Sequence, residues 1–194
     1  MVIDTETTGL PQRQGQTQIQ YRDYDECRMV QIAWGCYSSD ARLVSEQSFI
    51  VKPEGFIIPE TASRIHGIST DKALADGVPL VVVLQQFFTA LRGVSLVVAH
   101  NMSFDHGVIS AEICRQCDQY QDPVDPECVR LWETIPKQCT MLLGARVHCP
   151  DRRWPKLARL YEILYGTAPL ETLHRADADV RVCANVYFRM MNMI

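Results

Sequence analysis

The sequence predicts an α/β fold in which a mixed sheet is covered by helices, and three observations predict it. Two apolar runs, Met29 to Tyr37 and Leu43 to Val51, follow each other closely, as antiparallel neighbours do. Downstream, strand-like and helix-like segments alternate, as they do where strands pair through crossovers. Pro, Asn and Gly stand at the joints between these segments, where helices start and stop.

Taken in order, Met1 to Thr5 reads as a short strand that completes a meander with the two apolar runs. The polar run from Pro11 to Arg28 and the Pro-bearing run from Gln119 to Pro126 read as loops. Pro79 opens a helix with Leu84, Phe87, Phe88 and Leu91 on one face, ending near Gly93. Ser95 to Ala99 is the next strand, and Asn101 is placed to cap a helix running to about Cys117. Pro155 opens a further helix whose stripe of Leu157, Leu160, Tyr161 and Leu164 is stopped by Gly166. The last helix runs from about Ala176 to the C-terminus, with Ala176, Val180, Cys183, Tyr187 and Met190 inward. In sheets of this kind, sites form at the carboxyl ends of central strands.

Composition narrows the function. A chain of 194 residues with 47% hydrophobic and 22% charged residues suffices for one substantial core, so residues 1–194 are expected to form one domain. No stretch approaches the roughly 20 apolar residues of a membrane span, and Met1-Val2-Ile3-Asp4 lacks the basic start of a signal peptide. A soluble, intracellular and cytoplasmic protein without a membrane partner is expected. Eight dispersed cysteines then read as reduced thiols; Cys114 and Cys117 have a zinc-like spacing, but no second pair follows. The net charge of -4 argues against a protein that grips long nucleic acid through many Lys and Arg. It is compatible with carboxylates that engage phosphates through bound cations.

Three acidic pieces supply such carboxylates. Asp4 and Glu6 flank Thr5 where an apolar strand surfaces into the turn Thr7-Thr8-Gly9-Leu10, and a period of two puts both acids on one side. Asp105 lies in the first helical turn after His100-Asn101-Met102-Ser103-Phe104. His174, Arg175, Asp177 and Asp179 open the last helix. Alone, each piece also suits an ordinary solvated strand end or a helix start that favours acids. Together they bring four carboxylates and an imidazole from three element ends, as two-metal phosphodiester hydrolysis requires.

With these motifs in place, the chain resembles the DEDDh family of 3′-to-5′ exonucleases over nearly its whole length. The resemblance rests on Val2-Ile3-Asp4-Thr5-Glu6-Thr7-Thr8-Gly9-Leu10, on His100-Asn101 with Phe104-Asp105, and on His174 five residues before Asp179. Ile65-His66-Gly67-Ile68 and Pro155-Lys156-Leu157 follow the family order. It implies an RNase H-like fold with a five-stranded mixed sheet flanked by helices. It also implies Asp4, Glu6, Asp105 and Asp179 as ligands of two Mg2+ ions, for which Mn2+ substitutes, and His174 as the general base. Thr7, Gly9, Leu10, Asn101 and Phe104 would hold the terminal nucleotide of a single-stranded nucleic acid with a free 3′ end. Arg175 stands where a sister subfamily has Tyr, which assigns the His branch. Products would be nucleoside 5′-monophosphates, and Asp177 a bystander.

DNA and RNA remain equally open as substrates, and a catalytically inactive nucleic-acid-binding or scaffold protein of the same fold is the rival of a different class. Around the core motifs, Arg13, Tyr21, Arg22, Tyr24 and Arg28 suit phosphate contact and base stacking, as does a solvated loop. Arg152, Arg153, Lys156 and Arg159 suit strand steering or a wetted face. His66 is expected to fix the loop after the third strand, and no role is assigned to His106 or His148.

Overall fold

Alternation of side chains along the first strand, β1 (Val2–Thr7), divides the molecule into two halves. In this computed structural model, which describes residues 1–12, 21–120, 124–149 and 153–192, β1 is the centre of a five-stranded sheet. It pairs antiparallel with β2 (Met29–Tyr37), which pairs antiparallel with β3 (Leu43–Ile50) at one edge. On its other side it runs parallel to β4 (Val97–Ala99), which runs parallel to β5 (Lys137–Cys139) at the far edge. The expected meander is therefore present, and the sheet is mixed.

The helices follow from the connections. Between β3 and β4 lie α1 (Glu60–His66), α2 (Thr70–Asp76) and α3 (Leu80–Leu91). Between β4 and β5 lie α4 (Met102–Tyr120) and α5 (Pro126–Thr134), and after β5 come α6 (Thr140–Val147), α7 (Leu157–Tyr165) and α8 (Ala176–Met190). Ile3, Ile32 and Trp34 face one way and pack with Leu84 and Phe87 of α3, Val108 of α4 and Trp132 of α5. Val2, Ala33 and Val98 face the other way, against Leu157 and Leu160 of α7 and Val180 and Val186 of α8. Each fully buried side chain of this size contributes about 1.5–3 kcal/mol by leaving water.

Several boundaries differ from the expectations for identifiable reasons. β1 extends to Thr7, because a bulge between Glu6 and Thr7 lets it keep pairing with Met29, so Asp4 sits mid-strand. Part of the expected loop before Arg28 forms a 3-10 turn, Tyr21–Tyr24, whose Tyr24 is buried in the core, while residues 13–20 lie outside the described residues. The second expected loop shrinks likewise: α4 continues to Tyr120, and α5 starts at Pro126, where the Asp125 side chain accepts from the Glu127 N–H. The inward face of α8 is wider than the expected stripe. Val182, Ala184 and Val186 are buried while Tyr187 and Met190 are only partly so, because this helix packs on both the sheet and α7. Gly166, at φ 75°, ends α7 in the left-handed conformation as expected.

The start of β2 is anchored to α4 by a buried ion cluster. Glu112, 1% exposed, accepts from Arg28 Nε (3.0 Å) and the Met29 N–H (2.9 Å) and forms an ion pair with Arg115 Nη1 (3.0 Å). Arg28 also lies over the Phe56 ring at 4.3 Å. This corrects the expectation that Arg28 contacts phosphate: its guanidinium is spent inside the fold.

Gly107, inside α4, has a packing reason. A Cβ there would overlap the Tyr24 ring, which the missing side chain admits against the helix. Gly107→Ala therefore should destabilise the protein by about 1–3 kcal/mol through overpacking, although alanine is the better helix former by about 1 kcal/mol. Urea denaturation checks this, and a stabilised variant would contradict the packing.

Candidate active site

The two halves meet at the acids. Asp4 and Glu6 share the β1 face that α8 covers, and Asp179 lies in the first turn of that helix. One carboxyl oxygen from each of Asp4, Glu6 and Asp179 falls within 4.8 Å of the others, a separation at which one cation can bridge them. Among the described residues this is the group of His, Cys, Asp and Glu side chains with metal-ligand spacing, and it does not include Cys114 or Cys117. Asp105 reaches the site from the other side of β1. Its carboxylate accepts from the Thr5 hydroxyl at 2.8 Å, Thr5 pointing opposite to its two acidic neighbours.

Each acid is placed by a specific tie. Asp179 Oδ2 accepts the main-chain N–H groups of His174 (2.7 Å) and Arg175 (3.1 Å), turning its carboxylate back over the start of its own helix. The Gln31 side chain, opposite Glu6 in the β1/β2 ladder, accepts the Ala176 N–H at 3.2 Å and pins that helix start to the sheet. Asn101 and His174 both have left-handed backbones, φ 70° and 71°, immediately ahead of the helices that deliver Asp105 and Asp179. Such conformations cost about 1–3 kcal/mol in non-glycine residues and persist where the surroundings over-determine them. Asn101 stands directly before α4, where the sequence places it, with a left-handed backbone and a side chain that accepts from the Ser103 hydroxyl.

His100 ties the same joint together from behind. Its Nδ1 lies 2.9 Å from Thr140 Oγ1 and its Nε2 2.9 Å from the Pro155 carbonyl, so β4, α6 and the approach to α7 converge on one imidazole. Burial lowers its pKa to about 4, against the Pro155 carbonyl, which raises it, so it is neutral in working conditions. His66 ends α1 and is buried there, its Nδ1 accepting from the Ile68 N–H, so it fixes the turn after a helix where the sequence suggests a loop.

Electrostatically the acids are in conflict. Burial, then Asp105, Asp179 and Glu6, hold Asp4 well above the ordinary carboxylate range. Burial and then Asp179 and Asp105 raise Glu6 to about 7. Asp105 also rises to about 7, mainly by burial, although the hydroxyl and main chain of Thr5 oppose this. Burial raises Asp179, against the N–H groups of His174 and Arg175. Such a set calls for protons or cations.

A cleft of about 950 Å³ is lined in part by Leu10, Tyr21, Asn101, Phe104, Leu142 and Trp154; the four acids are not among its lining, although Asn101 to Phe104 lead directly into Asp105. Leu10, Asn101 and Phe104 of the expected nucleotide pocket thus come together here. Thr7 and Gly9 do not line it: the Thr7 hydroxyl donates to the Gly9 carbonyl at 2.7 Å and closes the turn that projects Leu10. The His174 side chain is exposed, and its main-chain N–H is bound by Asp179, a member of the acid cluster. Asp177 is held by Arg175 (3.3 Å) and Arg181 (3.1 Å), away from the cluster. His106 stacks on Trp132 and meets Glu133 at 3.5 Å. Tyr21 lines the cleft, Arg13 and Arg152 lie outside the described residues, and Arg159 pairs with Glu162 at 3.1 Å. Sequence reasoning missed Thr5, Gln31 and His100 as positioning groups, since a single polar residue carries no periodic signal.

The model of the RNase T exonuclease family matches residues 1–187. The chain belongs to this family. Its five-stranded sheet is the RNase H-like fold of exonucleases. It is 27% identical over 198 residues to a Mycobacterium tuberculosis (strain CDC 1551 / Oshkosh) protein whose name describes an exonuclease/endonuclease, and spans 26% of that protein's length. Among solved structures it is similar to exonuclease X in complex with 5′-overhanging duplex DNA, with 26% identity and a TM-score of 0.64, covering 98% of this chain and 90% of that one. Exonuclease I of Methylocaldum szegediense shares the fold at 20% identity and a TM-score of 0.66, covering 98% of this chain and 39% of that one. No helix among the described residues is long and apolar enough to cross a membrane.

Two predictions follow from the geometry and charge. Glu6 and Asp105 bind protons more tightly in the folded protein, at about 7, than at their ordinary values of 4.5 and 3.8. With chelator present, stability should therefore fall as pH rises from about 4 to 7, because the unfolded chain sheds those protons first. Thermal melts across that range check the sign, and a melting temperature that climbs through the window would refute it. Thr5→Val should leave the fold intact but loosen Asp105, lowering divalent-cation affinity or activity about 10- to 100-fold. Unchanged values would show that the Thr5 bond is incidental.

Proposed function

We propose that this chain is a metal-dependent 3′-to-5′ exonuclease that removes nucleoside 5′-monophosphates from single-stranded nucleic acid, and that residues 1–194 form a single exonuclease domain. One observation carries this reading: Asp4, Glu6 and Asp179 converge within 4.8 Å of one another, with Asp105 tied to the same strand through Thr5. One buried and three half-buried carboxyls with raised affinities for protons are a donor set suited to hard divalent cations, and Asp4, Glu6, Asp105 and Asp179 would hold them. Two Mg2+ ions, or Mn2+ in their place, would supply charge neutralisation at the attacking and leaving oxygens.

The chain's own residues do the rest. The cleft holds the terminal nucleotide, with Leu10 and Phe104 against the base and sugar and the turn Thr7 to Leu10 setting how far the strand enters. Asp179, fixed by two main-chain N–H groups, orients the end of the strand relative to His174. His174 takes the proton from the attacking water as its oxygen bonds to phosphorus, the bond between phosphorus and the 3′ oxygen of the preceding nucleotide breaks, and that oxygen takes a proton from solvent. An exposed imidazole suits this role, since it returns the proton to solvent after each cleavage.

The relatives support the substrate class. Exonuclease I has been solved with a dT13 oligonucleotide, and exonuclease X with 5′-overhanging duplex DNA. We infer that a recessed or free 3′ end is what this chain engages.

Asp4→Asn should abolish hydrolysis without unfolding the protein, and His174→Ala should lower turnover by about 10² to 10⁴ while leaving cation and strand binding nearly unchanged. Degradation of end-labelled single-stranded DNA and RNA, each with a free or a blocked 3′ end, tests the polarity. Release of 5′ label first, cleavage of circular strands, or full activity in excess chelator would each contradict the reading.

A further inference from the structure

His174 hangs on an irregular segment. Between the end of α7 and the start of α8 the chain has no regular structure, and Leu170 is fully exposed. On its C-terminal side His174 is secured by Asp179, which accepts its main-chain N–H. That bond fixes the backbone of residue 174 and leaves the imidazole direction to the path of the residues before it. Its left-handed backbone demands that this path be defined from both ends.

The N-terminal constraint is an arginine fork. Glu171, three residues before His174, accepts two hydrogen bonds from Arg181, Nε at 2.8 Å and Nη2 at 2.9 Å. Arg181 is itself immobilised, donating from Nη1 to Glu46 of β3 at 3.0 Å and from Nη2 to Asp177 at 3.1 Å. The guanidinium thus joins the edge strand, the first turns of α8 and the irregular segment at one planar group. Leu173, packed against the core of the α7/α8 half, is the other restraint on this stretch. An isolated exposed ion pair contributes little to stability, at most about 1 kcal/mol. A bidentate fork with three carboxylate partners, next to a strained residue, does something more specific: it restricts geometry.

We propose that the Arg181–Glu171 fork is a positioning device for His174, holding the segment so that the imidazole is presented at the rim of the acid cluster. The inference rests on the reading of His174 as the general base. The hydrogen-bond partners of Arg181 are Glu171, Glu46 and Asp177 and not Asp4, Glu6, Asp105 or Asp179, so the fork reaches the site through the segment that leads into His174. Lys at 181 would not replace it, because a point charge cannot reproduce the two parallel bonds.

The test is a double-mutant cycle on the whole chain, with Glu171→Ala, His174→Ala and the pair, scored by kcat, KM for a single-stranded oligonucleotide and Mn2+ affinity. Glu171→Ala should lower kcat by about 10- to 100-fold, the scale of a misplaced catalytic group, with KM and Mn2+ affinity within about twofold of the parent. Added to His174→Ala it should cost nothing further, because the group it positions is gone. Intact Mn2+ affinity also shows that Asp179 and the helix carrying it remain in place. A parental kcat in Glu171→Ala overturns the proposal, and so does an equal loss with and without His174, which would mark a general structural role. If His174→Ala itself retains full turnover, the base assignment falls and the fork's purpose with it. An active Glu171→Ala beside a disabled His174→Ala removes only the fork.

Discussion

Like charges crowded at the centre of a sheet are the constraint around which this fold is arranged. Asp4 stands mid-strand on β1, with strands on both sides, helix α8 across one face and Asp105 approaching from the other. Removing carboxyls from water while placing them within 4.8 Å of one another is unfavourable unless protons or cations neutralise them. A core optimised for stability alone would fill this space with apolar groups. The surrounding structure instead holds the acids together, and that investment is intelligible if the cluster exists to capture cations.

The holding is done by main-chain strain and by polar ties of long sequence separation. Gln31 on β2 pins the start of α8, Thr5 on β1 fixes Asp105, and His100 joins Thr140 to Pro155. Two left-handed residues, Asn101 and His174, aim the helices that follow them. The acids therefore do not depend on flexible loops, and rigid elements supply the precision that bond-making geometry needs. The cleft lined by Leu10 and Phe104 is mostly apolar, which suits bases and sugars.

Much of this is legible in the amino-acid order, and the rest is not for physical reasons. The stripes of α3 and α7 are read directly because burial imposes a period on them, and β2 is read as an unbroken apolar run because it is buried on both faces, whereas β3 is exposed along most of its length. Asp4, Glu6, Asp105 and Asp179 stand out because each interrupts or follows an apolar segment. Three-residue β5, with Lys137, Gln138 and Cys139 all half-buried, carries no such pattern and gains its strand from pairing with β4. Likewise α1 and α2 are too short for periodicity to show. Arg28 illustrates the limit most clearly: beside two tyrosines in a polar run it reads as a phosphate contact, yet the partner that claims it, Glu112, lies 84 positions away. Ties of that kind decide how the site is built, and they emerge only once the chain is folded.

Cation binding to the acid cluster is the claim on which everything else stands, and calorimetric titration of the purified chain with Mn2+ addresses it most directly. The account predicts saturation near two ions per chain. It also predicts net proton release at pH 6.5 that diminishes by pH 8, because Glu6 and Asp105, held near 7, must lose protons as the ions enter. Asp4→Asn should abolish the tighter event. Absence of binding at millimolar Mn2+, or binding that Asp4→Asn leaves unaltered, would contradict the account and return the acids to the status of an unexplained buried charge.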